Sequence, residues 1–293
     1  MTDPSLRDRA VRLYDAYTHE HRDRRTLLRE MTALAGSVAA AEALIAGIGA
    51  APAAASITPP DDARLITRTV HATAAGKPSI VYLARPKTGG KPLGTVMVIH
   101  ENRGLNDHIR DVARRVALAG FRVVAPDFLG PQGGTPANED RARDMIAHAD
   151  YDLVIAQGLE ILAEAKKGAA TSGKGGIVGF CWGGALVDRL AVAGGAAIDA
   201  AVAYYGPAPA PAEAVKVAAP MLLHYAGKDA RVAQTGEPWV AALKAAGKTV
   251  EAFTYSGVDH AFNNDTSAER YNKPAADLAW GRTIAFLHKY LDA

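Results

Sequence analysis

Between residues 94 and 255 the chain alternates short, mostly apolar runs with longer stretches whose apolar positions recur every three or four residues. The runs at 94–100, 121–125, 177–180, 200–204, 221–225 and 250–255 read as strands buried on both faces. Helical spacing appears at 107–118, at 138–167 in two pieces, and at 183–193, 238–246 and 275–291. Ahead of these, 65–72 and 80–85 are alternating and β-branched, which predicts a leading antiparallel pair. Strands interleaved with helices of these lengths predict an α/β fold, a mostly parallel sheet flanked by helices. Ligands of such sheets bind at the carboxyl ends of the strands.

The first sixty residues follow another pattern. Residues 4–30 read as one amphipathic helix with Leu6, Ala10, Leu13 and Tyr17 on its apolar face. Arg24-Arg25, an apolar segment to residue 55 and Ala53-Ala54-Ala55-Ser56 are similar to a twin-arginine export signal, which would send the protein to the periplasm. Glu30 and Glu42 interrupt that segment. We therefore take residues 1–62 first as a helical arm plus a Pro-rich linker at 51–62, in a cytoplasmic protein. Such an arm would pack on the main domain, residues 63–293, or on a second subunit in a homodimer.

Composition narrows the function classes. The 293 residues carry 33 Lys and Arg against 31 Asp and Glu, with no long run of either sign, so neither a nucleic-acid footprint nor a polybasic membrane patch is indicated. No apolar stretch is long enough and uncharged enough to span a bilayer. One cysteine excludes an internal disulfide and any Cys-rich metal site. His19-Glu20-His21 reads as a solvated pair of histidines rather than a metal site, and no cofactor is implied. Gly168-Ala169-Ala170-Thr171-Ser172-Gly173-Lys174 looks like a phosphate loop, but it precedes a strand and has Gly175 where Ser or Thr is required.

The single cysteine sits in Gly179-Phe180-Cys181-Trp182-Gly183-Gly184, between an apolar run and a helical stretch. Strand, sharp turn, helix, with small residues two places either side of the centre, is the pattern of a nucleophile elbow. Downstream, Asp229 follows the run at 221–225 and His260 follows the last strand, giving the order nucleophile, acid, histidine. Asp229 would orient His260, and His260 would carry the proton. Asp259 is a rival acid, but adjacent side chains diverge. The backbone amides of Asn102, after the strand at 94–100, and of Trp182 are the expected oxyanion donors. Glu101 beside them would oppose a developing negative charge unless Arg103, Arg143 or another arginine paired it.

These segments together with Ala125-Pro126-Asp127, Tyr204-Tyr205-Gly206 and Asp259-His260-Ala261-Phe262 resemble the dienelactone hydrolase family over residues 63–293. The resemblance implies an α/β-hydrolase fold and a cysteine hydrolase of small esters or lactones, of the carboxymethylenebutenolidase type. It implies Cys181 as nucleophile, Asp229 as acid, His260 as base, and Glu101 as a carboxylate bonded to the resting thiol until substrate displaces it. Of the two arginines that hold a substrate carboxylate in that family, one matches Arg143, while Asn263 and Asn264 stand where the second should fall. Arg103, Arg143, Asn263 and Tyr205 are the substrate-binding candidates.

Overall fold

The computed structural model describes residues 5–20, 22–49, 56–88, 93–168 and 170–292. Among the described residues eight strands form one sheet: β1 (Leu65–Ala74), β2 (Lys77–Pro86), β3 (Leu93–Ile99), β4 (Arg122–Asp127), β5 (Thr171–Phe180), β6 (Ala200–Tyr204), β7 (Met221–Ala226) and β8 (Val250–Tyr255). Their order across the sheet is β1-β2-β4-β3-β5-β6-β7-β8. The β1–β2 and β2–β4 pairs are antiparallel; from β4 to β8 every neighbour is parallel. The tight β1–β2 turn is made by Ala75 and Gly76, both at positive φ, as a two-residue hairpin requires.

Alternation along the central strands divides the core in two. Val96 and Val98 face one layer, with α4 (Asp107–Leu118) and α9 (Lys273–Leu291) over them. Met97 and Ile99 face the other, covered by α6 (Tyr151–Ala165), α7 (Trp182–Gly194) and α8 (Ala230–Ala245). A smaller helix, α5 (Glu139–Ala147), lies outside these layers near the strand ends. Two expectations need correction here. The strand at 177–180 begins six residues earlier, at Thr171, so part of the phosphate-loop look-alike is strand; Ala169 lies outside the described residues. The helix expected at 238 starts at Ala230, with Pro238 inside it: the start signal is the Asp229 cap, not the proline.

The leading segment is three helices, α1 (Leu6–His19), α2 (Arg24–Ala35) and α3 (Val38–Ile48), rather than one at 4–30. Asp23 breaks the pattern by capping α2, its carboxylate accepting from Thr26 N–H at 2.8 Å. Ala10, Val11, Tyr14, Tyr17, Leu27, Met31, Ala41 and Ile48 bury one another in a core of their own. Leu6, expected on the apolar face of α1, is 51% exposed, because the buried face is turned toward Tyr14. No single helix among the described residues is long and apolar enough to cross a membrane; α2 and α3 together would be, but the chain bends by 112° between them. The described end of the linker is pinned to α4, where the Asp111 carboxylate accepts from the Ile57 and Thr58 N–H groups.

Candidate active site

The residues singled out for chemistry converge at the carboxyl ends of β3, β5, β7 and β8. Cys181 directly follows β5 and caps α7 at φ 55° and ψ −114°, a positive-φ conformation rare for a residue with a Cβ. Tyr205 after β6 and Ala261 after His260 are also non-glycine residues at positive φ. Three of the four such residues in the described chain thus gather around one site, where backbone strain is held by the surrounding packing.

The glycines of the elbow are needed for close approach rather than for unusual dihedrals. A Cβ on Gly179 would stand 2.2 Å from the Gly183 carbonyl oxygen, one on Gly183 2.4 Å from His100 O, and one on Gly184 2.4 Å from Tyr204 O. The Gly183→Ala protein should accordingly lose about 1–3 kcal/mol through overpacking, seen as a lower urea midpoint at unchanged slope.

Asp229 divides its carboxylate between two tasks. One oxygen accepts from Val232 N–H at 3.1 Å and caps α8; the other accepts from His260 Nδ1 at 2.6 Å. Burial opposes the ionised form, but the His260 charge and bond, with help from Arg231, hold Asp229 below the usual carboxylate range. On His260 burial likewise opposes the charge, yet the neighbouring Cys181 and Asp229 outweigh it and push the imidazole up to about 10. The other ring nitrogen, Nε2, is buried with no hydrogen-bond partner among the described residues. Asp259, the rival acid, turns away to accept from Arg7 of α1 at 2.9 Å.

The turn after β3 is built on His100. Its ring stacks on Trp182 with centroids 5.2 Å apart. Phe128 N–H donates to Nε2 at 3.2 Å, which leaves Nδ1 to donate to Glu101 O at 2.7 Å, so the imidazole is neutral and the turn is fixed. Trp182 N–H, the first amide of α7, has no partner within the helix. The Asn102 side chain leans on the arm, its Nδ2 donating to Thr18 O at 3.4 Å.

Glu101 is buried but makes no hydrogen bond to Cys181 and no arginine pair. Asn264 Nδ2 donates to one carboxylate oxygen at 2.8 Å and Tyr205 OH to the other at 3.4 Å, so both are occupied away from the thiol. Arg103 instead pairs with Glu139 at 2.5 Å and bonds the Tyr14 hydroxyl. Arg143 pairs with Asp144 at 2.9 Å and lies over the Tyr17 ring, 4.0 Å from its centroid. Asn263 lines a separate cleft with Arg115 and Trp280; the neighbour that reaches the site is Asn264. Tyr205 is fully buried behind the site, edge-on to His260 with centroids 5.0 Å apart, and supports Glu101 and His260 rather than facing a ligand.

Sequence reasoning missed the arm's part in this site. His19, expected to be solvated, lies T-shaped against His260 with centroids 4.7 Å apart. Burial, then the charges of His260, Arg231, Arg270 and Arg103, hold it well below the usual imidazole range. His21 lies outside the described residues. A cleft of about 600 Å³ reaches Cys181 between Tyr17, Thr18 and His19 of α1, Arg143 of α5, and Trp182 and Arg189 of α7. That volume suits a small organic molecule.

Comparison with known proteins places this geometry in context. Residues 80–291 match the Dienelactone hydrolase family. The chain is 32% identical over 281 residues to a provisionally named carboxymethylenebutenolidase of Methylorubrum extorquens, covering 90% of this chain and 94% of the relative. A protein of the same provisional name from Escherichia coli K12 is 30% identical over 255 residues, covering 82% and 93%. A provisionally named dienelactone hydrolase from Klebsiella pneumoniae, solved by crystallography, superposes with a TM-score of 0.68 at 30% identity, covering 77% of this chain and 99% of that one.

Proposed function

The chain belongs to the dienelactone hydrolase family and is a carboxylic ester hydrolase, and from that premise we propose that Cys181, His260 and Asp229 hydrolyse small esters or lactones through a thioester acyl-enzyme. The observation that carries this reading is His260 itself. Its Nδ1 is fixed by Asp229 at 2.6 Å, while its buried Nε2 is left without a partner beside the cysteine.

In this mechanism the proton of Cys181 resides on His260, and the thiolate attacks the acyl carbon. Charge developing on the carbonyl oxygen is met by the Trp182 and Asn102 amides. Imidazolium then protonates the leaving alkoxide. The resulting neutral His260 takes a proton from water as that water attacks the thioester, and the thiolate leaves. Because a thiolate departs from a tetrahedral adduct more readily than an amine, esters and lactones turn over and unactivated amides do not. The Cys181→Ala protein should lose aryl acetate hydrolysis, and intact-mass analysis of the wild-type protein should find an acetylated species missing from the variant. Wild-type turnover by the variant would refute the assignment.

The arginines bear on substrate range. Both Arg103 and Arg143 are already met by carboxylates, so a substrate carboxylate would compete with Glu139 or Asp144 rather than fill an empty site. Across a panel of esters with and without an attached carboxylate, we expect kcat/KM to favour the acid by less than about tenfold, or 1.4 kcal/mol. A preference of a hundredfold or more would restore the arginines as substrate readers.

A further inference from the structure

We infer that His19, Cys181 and His260 form a binding site for a borderline divalent cation, with Zn2+ as the fitting ion, and that metal there fastens α1 across the site. One ring nitrogen from each histidine and the Cys181 sulfur all lie within 4.8 Å of one another. Among them is a cavity of about 20 Å³, large enough for one water-sized species and also bordered by Thr18, Glu101, Arg103 and Arg270, the two guanidinium groups being paired with Glu139 and Asp15. His260 Nε2 is buried there without a hydrogen-bond partner. Two imidazoles and a thiolate are a donor set that zinc takes in tetrahedral sites, with a solvent molecule as fourth ligand. Zinc bonds of about 2.0–2.3 Å hold ligand atoms roughly 3.3–3.7 Å apart, so the three side chains need close by only about 1 Å. The outer arrangement also suits a metal. Asp229 accepts from the far nitrogen of His260 at 2.6 Å, the carboxylate–histidine pairing that orients metal-bound imidazole.

Binding forms one Zn–S and two Zn–N bonds, displaces water from the ion, and releases the thiol proton and any proton carried by the two imidazoles. No electron is transferred. Two of the three ligands come from the strand ends and the third from the arm, so occupancy couples α1 to the site. Where the proposed nucleophile role of Cys181 holds, which this consequence assumes, the metal also silences hydrolysis by occupying the thiolate.

The test is a Co2+ titration of the full chain, followed by absorbance. Wild-type protein should develop a thiolate-to-cobalt charge-transfer band with intense tetrahedral d–d bands, and Zn2+ should abolish both. Cys181→Ala should lose the charge-transfer band. Loss of an outer partner of a metal ligand costs 10- to 100-fold in affinity, so His19→Gln, which removes a ligand, should weaken binding by at least about 100-fold. His71→Ala, on the exposed face of β1, should not change it. No charge-transfer band in the wild-type protein, or equal affinity in His19→Gln, overturns the site. Aryl acetate hydrolysis measured alongside separates the two readings. Turnover by the metal-free protein with no band on titration defeats the metal site alone; a band on titration of a protein that shows no turnover even when metal-free defeats the hydrolytic role of Cys181 alone.

Discussion

Replacing Asp229 by Asn lowers kcat for aryl acetate hydrolysis by about 10²–10⁴-fold while leaving the fold intact. The loss follows from which nitrogen of His260 carries the proton. Asp229 accepts from Nδ1 at 2.6 Å, so a neutral His260 offers a bare Nε2 to the thiol. An asparagine that presents its NH₂ to Nδ1 reverses the tautomer and puts a proton where a lone pair is needed, a change that costs about 10⁴ in related triads. The stability control is built into the residue. Asparagine caps helices as well as aspartate does, so the bond to Val232 N–H at the start of α8 survives, whereas alanine would forfeit about 1 kcal/mol there.

The same substitution moves the pH profile in a defined direction. In the wild-type protein His260 is raised to about 10, above its ordinary value, by Cys181 and Asp229 against the effect of burial. A group raised on folding stabilises the protein fully below its unfolded value near 6.5. That contribution is lost as pH rises through the folded value near 10. Taking away the Asp229 charge lowers the folded value, so the alkaline limb of kcat/KM should shift to lower pH. An unmoved alkaline limb, with kcat within threefold of wild type, would show that Asp229 is not the orienting acid.

How far the site was legible depended on how local each signal is. The elbow is a strand–turn–helix with its own packing rule, so six consecutive residues disclosed it, and the strand-end positions of Asp229 and His260 follow from the order of apolar runs. Side-chain direction past a strand end is not local. Asn263 and Asn264 are neighbours in the chain, yet one lines a cleft beside Trp280 and the other bonds Glu101. Arg103 adjoins Glu101 but Glu139, on α5, takes its guanidinium. The arm is harder still, because the polar face of an amphipathic helix has the same pattern whether water or a protein surface meets it. Tyr17 therefore reads as an apolar-face position and His19 as a solvated one, although Tyr17 lies under an arginine beside the site and His19 enters it.

Arg270 is the most buried basic side chain in that docking, and Arg270→Ala should loosen the arm at a cost of about 2–4 kcal/mol. The residue is 7% exposed. Its guanidinium pairs with Asp15 of α1 at 3.2 Å, donates through Nε to Ser267 Oγ at 2.9 Å and lies 5.2 Å from the centre of the Tyr14 ring. Burial raises Asp15 toward its neutral form and the Arg270 charge opposes this, so truncation leaves a carboxyl group poorly solvated and unpaired. Breaking one side of a buried ion pair costs about 3–5 kcal/mol; Asp15 keeps roughly a quarter of its side-chain exposure, which places the expected loss at the lower end. Arg7 is the control. It also bridges α1 to the main domain, through Asp259, but its side chain is 39% exposed, so Arg7→Ala should cost no more than about 1 kcal/mol. Urea unfolding measures the cost, and iodoacetamide labelling of Cys181 reports the consequence, since an undocked α1 withdraws Thr18 and His19 from the cysteine and should speed alkylation severalfold. Stability within 0.5 kcal/mol of wild type together with an unchanged labelling rate would mean that the arm is held by its apolar contacts and not by this pair.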